Sequence, residues 1–444
     1  MLRAGTALAD ISPKLGEELG GYPHYPRNNT GIHDPLYAAC LYIDNGETQI
    51  AIVTLDLLFF SKKHVLEIRR RMEDACGIPG RNILISTSHT HSGPWASGRL
   101  DIESLEAGKR QNPEYISFLK DRITSVILAA KEGAFEAQIA TGVNVCGAES
   151  GVGGNRRFIG GPYDPLVSVI TVRDMAGDVR GVFTNYTLHP TFIHEWSTEV
   201  TADYPCYMRR QIGELAPKAV FGFAQGASGN QSSRYYRKSE DYDEAERVGR
   251  LLGKAAFQVV ENAEWMDSVD IRVASSDMEM ELRDFGSAEE LKRRLDDATA
   301  LYKELFQKYG DSCNREEYYL WQNANLKMLG LEDQLGYVLM REKGMRIELC
   351  DDENPVEIQV IRIGNTCIVG APGEIFVEYA LYVKAMAGYP IVIFNELANG
   401  CLPGYLYTPE ALEFGGYETD TSMLAPAFGR HLVDQILNTI EKVR

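Results

Sequence analysis

The chain has 444 residues, 44% of them hydrophobic and 24% charged, with 41 Gly and 18 Pro, a globular composition that excludes a disordered or fibrous protein. Its net charge of −18 argues against nucleic acid as a partner, because phosphate binding needs clustered Lys and Arg, and nothing in it selects for an anionic membrane. The runs Arg69-Arg70-Arg71 and Lys292-Arg293-Arg294 read as solvated helix faces, since acidic residues sit near both.

From the N-terminus, Met1 to Asp10 lacks the apolar core of a signal peptide, and no stretch approaches the ~18 consecutive apolar residues of a transmembrane segment. Short β-branched runs follow at 51–55, 83–85, 167–172, 181–183, 358–361, 367–369 and 391–394, each bounded by polar or glycine-containing residues and therefore strand-like. Helical patterns lie between some of them, over 62–76, 113–132 and 241–262. The predicted fold class is α/β, with mixed β-sheets flanked by helices and several strands buried on both faces. The glycine-rich stretch Gly151-Val152-Gly153-Gly154 has no preceding strand and reads as a flexible turn before Asn155-Arg156-Arg157. Residues 287–345 differ from the rest. Ser287 with Glu290 forms a capping box, and Leu291, Leu295, Ala298, Tyr302, Leu305 and Tyr309 step along one helical face to Gly310. A second helix is expected around 315–335. This predicts a helical hairpin inserted into a single domain spanning 1–444; packing on the body, covering the site and a homo-oligomer contact remain open to it.

The eight cysteines (Cys40, Cys76, Cys146, Cys206, Cys313, Cys350, Cys367, Cys401) form no C-x-x-C pair. They read as buried free thiols in a reducing compartment, which places the protein in the cytoplasm. The eight histidines are His24, His33, His64, His89, His91, His189, His194 and His431. His89 and His91 lie just past the strand 83–85; if that stretch stays extended, side chains two apart point to the same side. Such a pair suits a borderline metal such as Zn2+. His189 follows the strand near 181–186, and Glu374 follows 367–369, so three strand ends each deliver a ligand-type side chain, where α/β sheets usually bind ligands. H-x-H alone also occurs by chance, and a single His is more often structural. The chain has no G-x-S-x-G elbow, no Walker A loop and no H-E-x-x-H helix.

The blocks Gly31-Ile32-His33-Asp34-Pro35, Thr87-Ser88-His89-Thr90-His91-Ser92-Gly93-Pro94, Asn155-Arg156-Arg157, Leu188-His189-Pro190-Thr191, Ala202-Asp203-Tyr204-Pro205, Ala371-Pro372-Gly373-Glu374 and Gly404-Tyr405-Leu406 occur in an order that resembles the neutral/alkaline ceramidase family. The resemblance runs over nearly the whole chain and implies a zinc amidase that cleaves an N-acyl bond of a small-molecule or lipid-like substrate. Carried over by position, it implies His89, His189, Glu374 and Tyr405 as Zn2+ ligands and His91 as the residue that contacts substrate and handles protons. It also implies Arg156 as a polar clamp, and Tyr417, twelve residues past Tyr405, as a second site tyrosine that with Arg156 could stabilise an oxyanion. The plainer readings are that Arg156 pairs with an acid, that Tyr417 packs, and that Asp56 and Asp203 orient His rings from behind.

The family's G-D-x-S-P block is altered here: Ser232 falls at the serine position, but Asn230 replaces the acid and Ser233 the proline. An immunoglobulin-like C-terminal domain and an export signal are not expected. A metal-dependent esterase or peptidase and a non-catalytic binding homologue are the alternative readings.

Overall fold

The strand Ile83–Thr87 shows how the sheets are built. Ile83 and Ile85 belong to the core beneath the helices, whereas Leu84 between them belongs to a second core, as the two-residue period of a strand requires. Both faces are covered, which is why the run carries no polar alternation. The computed structural model describes residues 1–22, 25–98, 111–310 and 314–444, with Arg315 and Glu316 as backbone only. His24 and Cys313 lie outside the described residues; the seven described cysteines are free and six of them are buried.

The larger sheet has eight strands in the order Val220–Gln225, Val179–Tyr186, Leu166–Asp174, Phe135–Val145, Arg3–Asp10, Tyr37–Asp44, Gln49–Leu55 and Ile83–Thr87. Its two end pairs are parallel and the rest antiparallel. A four-stranded sheet follows the order Ile271–Met278, Val356–Ile363, Thr366–Gly370 and Ile391–Asn395, with only the last pair parallel. Leu41, Ile52, Leu84 and Phe183 of the first sheet meet Ile361, Ile363, Ile368 and Ile393 of the second in one buried cluster, so the sheets stack face to face. Helices Lys62–Cys76, Pro113–Glu132, Tyr204–Leu215 and Tyr242–Glu261 cover the outer face of the first sheet. Val377–Met386 and Phe428–Glu441 cover that of the second. The result is a helix–sheet–sheet–helix sandwich, the mixed α/β class expected.

Helices Ala288–Tyr309 and Arg315–Glu342 form the hairpin, and Ser287 caps the first through Oγ, 3.3 Å from the Glu290 amide. Leu291, Ala298, Leu331, Tyr337 and Met340 share a small core with Met423 of the body. The Gln334 amide donates to the Asp420 carbonyl at 2.5 Å, so the hairpin packs on the body beside the short helix Tyr417–Asp420.

Two local expectations are corrected. Arg69 is not on a solvated face; it is 5% exposed, donates to the Ile83 carbonyl and pairs with Glu357 at 2.6 Å. A sequence run cannot tell which of three successive arginines turns inward. Gly153 and Gly154 do not make a flexible turn either. Gly154–Asn155 pairs with Gln231–Ser232, and a Cβ at Gly153 would lie 2.1 Å from Leu188 Cδ1. Gly153 and Gly154 permit close packing, whereas Gly151, at φ +65° with open space around it, does lie in a turn.

Glu353 is buried and accepts from the Lys62 amide at 3.1 Å and the Cys401 amide at 3.0 Å. Burial outweighs those bonds and pushes its carboxyl from 4.5 up to about 7. A carboxyl that titrates higher in the folded chain stabilises it below the unfolded pKa and loses that contribution as pH rises through about 7. Glu353→Gln is therefore expected to raise stability at pH 8, by up to roughly 3 kcal/mol, and by progressively less towards pH 5. Thermal or urea melts at both pH values check this; an equal change at both would show that burial of the charge is not the cause.

Candidate metal centre

His89 lies two residues beyond the strand Ile83–Thr87. The Ser88 amide donates to the Leu55 carbonyl at 2.8 Å and the His89 amide to the Leu57 carbonyl at 2.9 Å, which pins the turn. His89 itself has φ 67°, a left-handed conformation uncommon outside glycine that persists where surrounding bonds enforce it. The expectation that extended alternation aligns His89 with His91 is thus corrected: the rings converge because the backbone turns at His89. His91 Nε2 lies 3.4 Å from His89 Nε2. The backbone of Gly21 approaches so closely that a Cβ there would sit 2.5 Å from His91 Cβ, at φ +95°.

His189 arrives from the end of Val179–Tyr186. Its Nδ1 faces the Ser228 carbonyl at 2.8 Å, and His89 Nδ1 faces the Leu58 carbonyl at 3.2 Å. A carbonyl only accepts, so each ring donates Nδ1–H and turns an Nε2 lone pair inward. The two Nε2 atoms are 3.1 Å apart, and Glu374 Oε2 is 3.2 Å from each. Two inward lone pairs and a carboxylate oxygen at such spacing repel one another unless a cation lies between them. With Zn–N near 2.0–2.1 Å, tetrahedral donors stand roughly 3.3 Å apart, so the residues fit a zinc ion. His89, His91 and His189 also form a group in which one ring nitrogen from each lies within 4.8 Å of the others.

Electrostatics agree with that donor set. Burial, then the neighbouring His89 and His189, keeps the His91 ring well below the usual imidazole range. Burial and then Arg156 bring His189 down to about 4. Burial pushes the Glu374 carboxyl up, but His89 and His189 outweigh it and hold it well below the carboxylate range. A His189 ring and a His91 ring held below the imidazole range, facing a carboxylate held below its own, are disposed to give a divalent metal neutral nitrogens and an ionised oxygen.

Tyr405 is brought to the site by register. The two-residue strand Glu374–Ile375 pairs in parallel with Tyr405–Leu406, Glu374 opposite Tyr405, so their side chains share a face. Arg156 lies with Cζ 5.3 Å from the Tyr405 ring centre; its Nε donates to Glu418 at 2.8 Å and its Nη2 to the Gly229 carbonyl at 2.8 Å. The plainer reading of Arg156, pairing with an acid, is therefore present in the structure. Arg157 reaches the other oxygen of Glu418 at 2.7 Å. The Tyr417 ring stands 5.9 Å from that of Tyr405. Ser232 lies on its short strand opposite Gly154, its hydroxyl accepting the Arg234 amide at 3.2 Å.

Neither aspartate expected behind the His rings touches one among the described contacts. Asp56 takes the Tyr37 amide and the Arg209 guanidinium, and Asp203 takes the amides of Phe192, Ile193 and Tyr204. Backbone carbonyls orient the rings instead. His33, His64, His194 and His431 bond elsewhere, to Asp34, Gln111, Glu195 and Glu281. Missed in the sequence were Glu418, whose only signal was adjacency to Tyr417, and Arg27, which is buried and donates to the His91 carbonyl at 2.6 Å.

The fold and this site define a class: a stacked-sheet α/β protein with a histidine–carboxylate centre at its strand ends. No protein-family model matches the chain. It is 22% identical to the neutral ceramidase of Pseudomonas aeruginosa, over 96% of this chain and 69% of that one. It is 21% identical to the neutral ceramidase of Mycobacterium tuberculosis, over 100% of this chain and 76% of that one. Among solved structures, that of the Pseudomonas aeruginosa neutral ceramidase superposes with a TM-score of 0.73 at 18% identity, covering 100% of this chain and 74% of its own. A ceramidase complexed with C2 gives 0.73 at 17% identity, covering 100% of this chain and 75% of its own. The chain is thus a relative of the neutral ceramidases and has their fold, as its ordered motifs implied. Among the described residues no helix is long and apolar enough to cross a membrane.

Proposed function

We propose that the chain is a zinc-dependent hydrolase that cleaves an amide bond in an N-acyl amine, ceramide being one candidate among small-molecule and lipid-like amides. The observation that carries this reading is the convergence of His89 Nε2, His189 Nε2 and Glu374 Oε2 within 3.2 Å of one another. His89, His189, Glu374 and Tyr405 would hold the ion. When bound, zinc supplies Lewis-acid polarisation of the carbonyl and a water of lowered pKa. His91, half-buried at the edge of the cluster and neutral, accepts a proton and returns it to the leaving amine. Arg156, itself held by Glu418, packs on the Tyr405 ring, and Tyr417, its ring 5.9 Å from that of Tyr405, would donate to developing negative charge on the carbonyl oxygen. Ser232, whose hydroxyl oxygen accepts the Arg234 amide at 3.2 Å, would offer its hydroxyl to substrate only as the family motif implies.

The test combines metal analysis with a substrate panel. Purified protein is expected to carry close to one zinc per chain, and chelation is expected to abolish hydrolysis of N-acyl amines, restored by added zinc. Turnover of esters with none of amides would replace the reading by a metal-dependent esterase. Metal and ligand binding with no turnover of any substrate would make the protein a binding homologue.

A further inference from the structure

The three strand ends that deliver His89, His189 and Glu374 belong to different parts of the two sheets, and one five-residue loop ties them together. At the end of the strand Ile391–Asn395, the Asn395 carbonyl accepts the Ala371 amide at 3.0 Å and its Oδ1 accepts the Asn185 side-chain amide at 2.9 Å. The Leu397 carbonyl accepts the Thr87 amide at 3.3 Å, and the Asn399 amide donates to the Ile85 carbonyl at 2.8 Å. Asn399 Oδ1 takes the Ile85 amide at 3.0 Å. Leu397 and Asn399 have φ 54° and 60°, left-handed conformations that hold only where many bonds over-determine them.

At the centre of the loop is Glu396, with no exposed surface. Its amide donates to the Gln225 carbonyl at 3.0 Å. One carboxyl oxygen accepts the Ser228 hydroxyl at 2.5 Å and the other the Ile375 amide at 2.6 Å. Ser228 is the residue whose carbonyl receives His189 Nδ1, and Ile375 follows Glu374. One side chain therefore spans the segment that aims a histidine and the segment that carries the carboxylate.

We propose that Glu396 is a positioning residue for the metal centre, setting the separation of His189 and Glu374 by clamping Ser228 to Ile375. This inference rests on the metal reading above. Groups one step behind metal ligands are worth about 10–100-fold in metal affinity, which sets the expected scale. Glutamine at 396 keeps an acceptor for the Ile375 amide and a donor for the Ser228 oxygen, whereas alanine offers neither.

The experiment is a zinc titration against a competing chelator, paired with the visible absorption spectrum of the cobalt-substituted protein, which reports ligand geometry. Glu396→Ala is expected to lose about 10–100-fold in zinc affinity with an altered cobalt spectrum, and Glu396→Gln to recover most of both. Should Glu396→Ala not fold, Ser228→Ala removes one arm of the clamp and is expected to weaken zinc several-fold, again with a changed spectrum. Wild-type affinity and spectrum in Glu396→Ala, or in Ser228→Ala where that variant is used, would overturn the proposal, as would a loss in Glu396→Gln equal to that in Glu396→Ala. Failure of the metal reading looks different: the wild-type protein would then bind no zinc, or Glu374→Ala would bind it as well as wild type.

Discussion

His89→Asn is expected to yield folded protein that retains almost no zinc and hydrolyses nothing. The ring contributes one of the two inward Nε2 lone pairs, with its other nitrogen fixed on the Leu58 carbonyl at 3.2 Å. Residues that only support ligands are worth about 10–100-fold in metal affinity, so loss of a ligand is expected to exceed about 100-fold. Turnover then falls by at least the same factor, since both carbonyl polarisation and the activated water depend on the ion. The choice of asparagine matters. At φ 67°, alanine adds backbone strain to the loss of the ring, whereas asparagine visits the left-handed region readily, so the variant isolates the ligand. His89→Ala is expected to lose the metal too, with a lower melting temperature than His89→Asn. Metal content measured on the two purified proteins decides it: one zinc per chain in His89→Asn would remove His89 from the shell.

That His89 carries strain was not legible in the sequence, although its role in a cluster was. H-x-H after an apolar run pointed to two imidazoles near a strand end, and the reason offered, alternation along an extended chain, failed because the strand stops at Thr87. Nothing in Ser88-His89-Thr90 announces a left-handed residue; the turn is fixed by the carbonyls of Leu55, at the end of the neighbouring strand, and of Leu57 just beyond it. The ring orienters have the same character. Aspartates were the natural candidates from residue type, but the Leu58 and Ser228 carbonyls do the orienting, and a carbonyl has no signature in the sequence.

For the fold, legibility followed apolar density. Helices expected over 62–76 and 113–132 coincide with Lys62–Cys76 and Pro113–Glu132, because each presents one apolar stripe to the sheet. The strands that went unread, Arg3–Asp10 and Phe135–Val145 among them, are rich in Ala, Gly and polar residues. Arg3–Asp10 is a strand because Tyr37–Asp44 pairs with it along its whole length, a tertiary cause that local propensity does not contain. The same holds for Tyr405, placed by its register opposite Glu374, and for Glu418, identified only when Arg156 and Arg157 converge on it.

His91 is where the geometry allows two assignments that an experiment separates. Its Nε2 is 3.4 Å from His89 Nε2, close to the 3.2 Å of Glu374, so distance to His89 alone would admit it as a ligand. Glu374 stands equally close to His189, 3.2 Å, while the His91 ring centre is 5.7 Å from that of His189, against 4.7 Å between the His89 and His189 ring centres. The carboxylate thus sits between both histidines and His91 beside one of them. His91 also lacks what His89 and His189 share: its Nδ1 has no hydrogen-bond partner, so no carbonyl fixes its tautomer, and a ring free to exchange tautomers suits proton transfer better than ligation. Glutamine approximates the ring's reach and volume beside Gly21 and Tyr22 but cannot relay a proton. His91→Gln is therefore expected to keep one zinc per chain, with affinity changed by less than the ~10–100-fold expected for a group supporting a ligand, while kcat for amide hydrolysis falls by about 10²–10⁴. Zinc loss matching that of His89→Asn would instead make His91 a ligand, and one of Glu374 or Tyr405 would then leave the shell.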